Sequence, residues 1–176
     1  MNVSSIEREL LVIPKSPGVY LLHLGLPLQQ ILRVGKLGEY CYQPGEYLYV
    51  GSALGPGGLK ARLGRHLLGN GRRHWHIDWL RPFTSVNGYF YLETTEHLEC
   101  AWSQFLIQNL EASIPAPGFG ASDCRSKGNY CTAHLVRLDR CKDVNKIRDG
   151  LPKVQESQVV YRKFTAQFQP DPGDIE

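Results

Sequence analysis

Three short segments near the start of the chain carry the pattern of strands. "SPGVYLLHLGL" (16–26) opens on a Pro-Gly turn signal and alternates in part; "QQILRVGKLG" (29–38) follows the break at Pro27. "PGEYLYVGSA" (44–53) begins at a second Pro-Gly turn, and its Tyr-x-Tyr alternation predicts a third strand. Connections this short favour an antiparallel arrangement of the three. Beyond "GPGG" the period changes. At about 100° per residue, Leu59, Leu63 and Leu67 fall within about 80° of arc, the buried stripe of a helix over 59–68, with Arg62 and His66 on one border of it.

"HWHIDWL" predicts a second, short helix and "SVNGYFYLET" (85–94) a fourth strand. "TEHLECAWSQFLIQNLEAS" (95–113) is the clearest helix, its apolar stripe formed by Leu98, Trp102, Phe105, Leu106 and Leu110. Glu99 falls inside that stripe. A carboxylate aimed at a core costs several kcal/mol, on the order expected for an unpaired buried charge, unless a cation or hydrogen-bond donors meet it. After the breaker-rich "IPAPGFGASD", "AHLVRLD" (133–139) reads as the last core strand, "VQESQVVYRKF" as an edge strand and "QPDPGDIE" as a frayed tail. The predicted organisation is an N-terminal extension over 1–15, an α/β domain over 16–140 and a partly disordered C-terminal extension over 141–176.

Composition changes this picture little; charge changes it more. With 176 residues and 42% hydrophobic content the chain is long enough for one core, and 21% charged residues argue against wholesale disorder. The net charge is only +3. Between Lys60 and Arg81, however, six cations face Asp78 alone, a local +5 that leaves −2 for the rest. Positive charge gathered in one short region is what a patch meeting a polyanion requires. An odd, irregularly spaced set of cysteines excludes a disulfide framework. No apolar run approaches a membrane span and the N-terminus lacks a signal-peptide core, so a reduced, cytoplasmic protein is expected.

The basic run, "GLKARLGRHLLGNGRRHWHIDWL" (58–80), admits three readings: a solvated amphipathic face, a histidine metal site, or a phosphate-binding surface. His74 and His76 lack a second pair to complete a tetrahedral zinc set. Trp75 and Trp79, four apart, read as packing a short helix onto the core. Cys124, Cys131 and His134 are compatible with a zinc knuckle, but with three ligands only, two reduced thiols near a sheet edge is the favoured reading.

The ordered set of signals resembles the GIY-YIG nuclease superfamily. "GVY" (18–20) stands for the first signature triplet and "YVG" (49–51), continuing into "GSA", for the second. "RLGRH" supplies Arg62 and, four residues on, His66; Glu99 lies near the start of a later helix. Any one of these would be weak; five in order are specific. The nearest likeness is to an uncharacterised branch with "HWHIDWL", "GFGASDC" and an extra hairpin before the second triplet, a branch sometimes fused in archaea to repair glycosylases of the endonuclease III type.

The resemblance implies a small mixed or antiparallel central sheet flanked by helices, and metal-dependent hydrolysis of nucleic-acid phosphodiesters, DNA first, in repair or recombination. Glu99 would hold one divalent cation, Mg²⁺ or Mn²⁺, which suit hard oxygen ligands. Tyr20 and Tyr49 would position or deprotonate the attacking water, which needs cationic surroundings because tyrosine titrates near pH 10. Arg62 would stabilise charge on the phosphate, and His66 would orient a tyrosine hydroxyl or contact phosphate. Lys36, Lys60, Arg65, Arg72, Arg73, His74 and His76 complete the expected nucleic-acid surface. The fusions imply a repair-protein partner as well, and a homodimer is a further expectation because one compact domain with a small basic surface would grip DNA weakly. One position departs from the pattern: Gly120 falls where many members place an Asn, which leaves open a non-cleaving nucleic-acid-binding module of the same fold.

Overall fold

The computed structural model describes residues 3–69, 72–122, 124, 131–140 and 143–166. It is a mixed α/β structure around one six-stranded antiparallel sheet. The strands are β1 (Gly18–Leu26), β4 (Gly45–Ser52), β5 (Ser85–Glu93), β6 (Ala112–Ser113), β7 (Leu135–Leu138) and β8 (Val160–Ala166), in the spatial order β6-β7-β4-β1-β5-β8. A separate two-stranded hairpin is formed by β2 (Gln30–Val34) and β3 (Gly38–Tyr42).

The expected helices and strands are present, with one change of topology. The segment 29–38 does not join the main sheet: it folds back through the turn at Gly35, and β1 pairs directly with β4. β1 explains why its alternation was only partial in the sequence. It lies between β4 and β5 and is covered on both faces, so almost every position along it is buried. Full burial of each leucine there contributes about 1.5–3 kcal/mol.

On one face, Tyr20, Leu22, Leu24, Tyr47, Tyr49 and Tyr89 pack under α1 (Val3–Val12), α2 (Gly58–Leu68) and the hairpin. α2 buries Leu59, Leu63 and Leu67 as its period requires. On the opposite face, Leu21, Leu48, Val50 and Phe90 pack against Trp102 and Leu106 of α4 (Glu99–Asn109), which starts at Glu99 and so is shorter than its periodic stretch. A short α3 (Ile77–Leu80) follows α2.

Residues outside 16–140 enter the same core. Ile6 of α1 is buried, and Glu9 accepts hydrogen bonds from Tyr89 and from Arg162 of β8. α5 (Val144–Gly150), capped by Asp143 accepting from the Asn145 amide, buries Ile147. β8 is the edge strand, paired with β5. The stretch expected to fray, 169–176, lies outside the described residues. Among the described residues no helix is long and apolar enough to cross a membrane.

Candidate active-site cleft

Strand register brings the two tyrosines together. Tyr20 is paired with Gly51 and Leu22 with Tyr49 across β1 and β4. Paired positions share a face and alternate ones along a strand do too, so both phenols stand on the α2 side of the sheet. They line a cleft of about 140 Å³ whose other walls include Arg62, Trp75, Glu99 and His134. Four of the five residues expected to act together therefore meet in one place.

The fifth, His66, stands behind Tyr20 and does not line the cleft. It is buried, with Nε2 2.9 Å from the Tyr20 hydroxyl. Burial drives its pKa down to about 3, Asp78 offsetting this only in part, so the ring is neutral at physiological pH. Of its two expected roles, holding a tyrosine hydroxyl fits and contact with phosphate does not. Arg81 anchors the same turn by donating from Nε to the His66 carbonyl, 2.9 Å, and from a terminal nitrogen to the Thr84 carbonyl.

Tyr20 departs from expectation. Burial holds its hydroxyl well above the usual tyrosine value, and the attraction of Arg62 recovers only part of that. At physiological pH it is a neutral phenol.

Arg62 reaches the cleft lying on Trp75, its guanidinium carbon 4.0 Å from the ring centroid, with Arg65 4.8 Å from the same centroid. Such stacking contributes about 0.5–2 kcal/mol per pair and fixes the plane of the guanidinium. Trp75 packs on the core as expected, but its use as a platform for two arginines was invisible in the sequence. Arg65 is committed inside the fold: it donates to Asp78 at 2.8 Å and to the Arg72 carbonyl. Asp78 also accepts from the His74 and Trp75 amides, which pins the segment carrying the platform.

Glu99 occupies the first turn of α4, its side chain only 15% exposed. Oε1 lies 3.5 Å from His97 Nδ1, whereas Oε2 is buried with no hydrogen-bond partner among the described residues. A carboxylate oxygen in that state is costly unless something occupies the cleft beside it.

The remaining candidates lie outside the cleft lining. Lys36, Arg72, Arg73 and His74 are exposed and Lys60 is half-buried. His76 Nδ1 accepts from the Gly120 amide at 2.9 Å, tying α3 to the loop before β7. Gly120 has φ of 74°, and a Cβ there would lie 2.9 Å from the His134 Cβ and 3.2 Å from the Tyr49 ring. An asparagine at this position has no room. Of the two polar residues after it that could take over the role of that Asn, Ser122 is exposed and Asp123 lies outside the described residues.

The two thiols, Cys124 and Cys131, are buried, with Cys100 of α4 packed against them. Cys100 joins Cys124, Cys131 and His134 in a tight group that the sequence, showing three of them, left incomplete.

A family model described as "Domain of unknown function DUF123" matches residues 19–156. No curated protein and no solved structure matches the chain.

Proposed function

The chain belongs to that family, and we propose that it is a divalent-metal-dependent endonuclease of the GIY-YIG kind, hydrolysing nucleic-acid phosphodiester bonds. The observation that carries this reading is that Glu99, whose buried Oε2 has no hydrogen-bond partner among the described residues, lines one cleft with Arg62, Tyr20 and Tyr49. A carboxylate and two phenols lining one cleft are hard oxygen donors of the kind that suit Mg²⁺ or Mn²⁺. The residues present therefore fit the ion that the resemblance implies.

Glu99 would hold that ion, which supplies Lewis-acid polarisation of the phosphoryl oxygens when bound. Arg62, its plane set by Trp75, is placed to hydrogen-bond the phosphate in two-point fashion and offset developing charge. Tyr20, fixed by His66, turns its phenol oxygen to the attacking water and with Tyr49 holds it in line. Because burial keeps Tyr20 protonated, its part here is orientation. Lys36, Lys60, Arg72 and Arg73 would hold backbone phosphates on either side.

DNA is preferred over RNA on the resemblance to domains fused to repair glycosylases, and a repair protein or a second copy is the expected partner. A reducing, cytoplasmic setting accords with the cysteines, all free among the described residues. A second reading, a module that binds nucleic acid without cutting, draws on Gly120 and on the protonated Tyr20. A panel of branched and flapped DNAs with Mn²⁺ or Mg²⁺ separates the two. Cleavage by the wild type and none by Glu99→Ala is expected; a wild type inert on every substrate leaves the binding module.

A further inference from the structure

Cys100 in the first turn of α4, Cys124 just beyond the Gly120 turn, and Cys131 and His134 leading into β7 converge from three places in the chain. Each offers one ligand atom, and all four atoms lie within 4.8 Å of one another. Cys124 Sγ lies 3.3 Å from Cys100 Sγ and 3.3 Å from His134 Nε2. A disulfide needs sulfurs at about 2.05 Å, so the pair is not bonded. A tetrahedral zinc with Zn–S of about 2.3 Å and Zn–N of about 2.0–2.1 Å needs edges of about 3.8 Å between sulfurs and about 3.6 Å from sulfur to nitrogen. Those edges fall between the 3.3 Å separations within the group and its outer limit, 4.8 Å, so binding would open the short edges and draw in the longer ones.

We propose that Cys100, Cys124, Cys131 and His134 form a closed, four-coordinate structural zinc site. Three sulfurs and one imidazole are the soft and borderline donors that select zinc over Mg²⁺ or Mn²⁺. The set is complete with four protein ligands, and Cys124, Cys131 and His134 are each nearly inaccessible, so no position is left open for substrate. Loading exchanges three thiol protons, released to solvent, for one Zn²⁺, leaving three thiolates and a neutral imidazole with net charge −1.

The site lies beside the cleft, where hydrogen bonds already join its segments to the sheet. Cys100 follows Glu99 directly, and His134 is a wall of the cleft. The Ser103 hydroxyl donates to the Ala133 carbonyl, the His134 amide to the Phe119 carbonyl at 2.7 Å, and the Val50 amide to the His134 carbonyl at 2.9 Å. Zinc thus rivets the start of α4, the Gly120 loop and β4 together, and so sets where the Glu99 carboxylate lies. It does this whether or not the cleft cuts nucleic acid.

The test is metal content of the full chain, purified without chelator, by mass spectrometry, with Co²⁺ replacement read by absorption. About one zinc per chain and the thiolate-to-cobalt bands of a tetrahedral site are expected. Cys131→Ala should lose both, while Cys41→Ser, at an exposed cysteine away from the group, keeps both. Should Cys131→Ala fail to fold, the wild-type cobalt spectrum and the Cys41→Ser control decide alone. Zinc-free wild type that refuses Co²⁺, iron in place of zinc, or zinc lost with Cys41→Ser would each overturn the site. A zinc-loaded but inert protein would sink only the nuclease reading, and a zinc-free active one only this.

Discussion

The Tyr20 ring lies directly over Gly51, so close that a Cβ at position 51 would fall 2.3 Å from both the hydroxyl oxygen and the ring carbon bearing it. The glycine of the second triplet thus makes room for the tyrosine of the first, across the β1–β4 ladder that pairs them. Neither neighbour can yield easily, since Gly51 is mid-strand and Tyr20 is held by His66.

Gly51→Ala should therefore lower stability by about 1–3 kcal/mol, the range for overpacking a well-filled core. It should also pull Tyr20 from His66 and reduce cleavage with it. Urea unfolding of variant and wild type checks the first part; coincident midpoints would show that the phenol is not where it is described.

Arg62 and Arg65 share Trp75 yet should behave oppositely when removed. Arg65→Ala strips a charged hydrogen bond from the mostly buried Asp78 and should cost about 1–3 kcal/mol of stability. Arg62→Ala loses only a stacking contact, about 0.5–1 kcal/mol. Its cost should appear in cleavage, by about 10²–10³-fold, as for loss of a donor to developing charge. Thermal melts and single-turnover rates on one DNA substrate, measured for both variants, check the pair; a reversed pattern would exchange their roles.

The legible part of this molecule was what local period and spacing can carry. Leu59, Leu63 and Leu67 announced α2, and Glu99 announced itself as a charge in an apolar stripe. What stayed hidden depended on long-range register. Nothing local says that residues 30–42 leave the main sheet so that Tyr20 can face Gly51. Nothing local brings Cys100 to Cys124, Cys131 and His134, because their meeting depends on α4 packing across β4 and β7. The platform made by Trp75 was equally silent: Asp78 accepting from two backbone amides positions it, and a lone acid in a basic run reads as a charge offset.

The buried histidines give a pH dependence of known sign. His66 has its pKa lowered from 6.5 to about 3 by burial, and burial lowers His23 as well despite Glu46 nearby. Below the unfolded value near 6.5 the unfolded chain binds protons that the native ring refuses. The stability that the neutral His66 ring carries is complete above about pH 6.5 and is lost as pH falls toward 3, and His23 acts in the same direction. His66→Gln should show a shallower decline over that window while being less stable at pH 8, where the Tyr20 contact is what it lacks. Chemical denaturation at several pH values checks this; parallel curves for variant and wild type would mean His66 is not buried neutral.

Glu99 can be tested without any substrate. Its Oε2 is buried and has no partner among the described residues, so Glu99→Gln should leave the ion-free protein as stable as the wild type or more so. Binding of Mn²⁺ to the folded state alone raises stability by about 2.7 kcal/mol at 100 times the dissociation constant. Wild type, with its thiol cluster as purified, should therefore gain melting temperature with Mn²⁺, and Glu99→Gln should gain almost none. Equal gains in both would place the ion elsewhere and remove the ground on which hydrolysis in this cleft is argued.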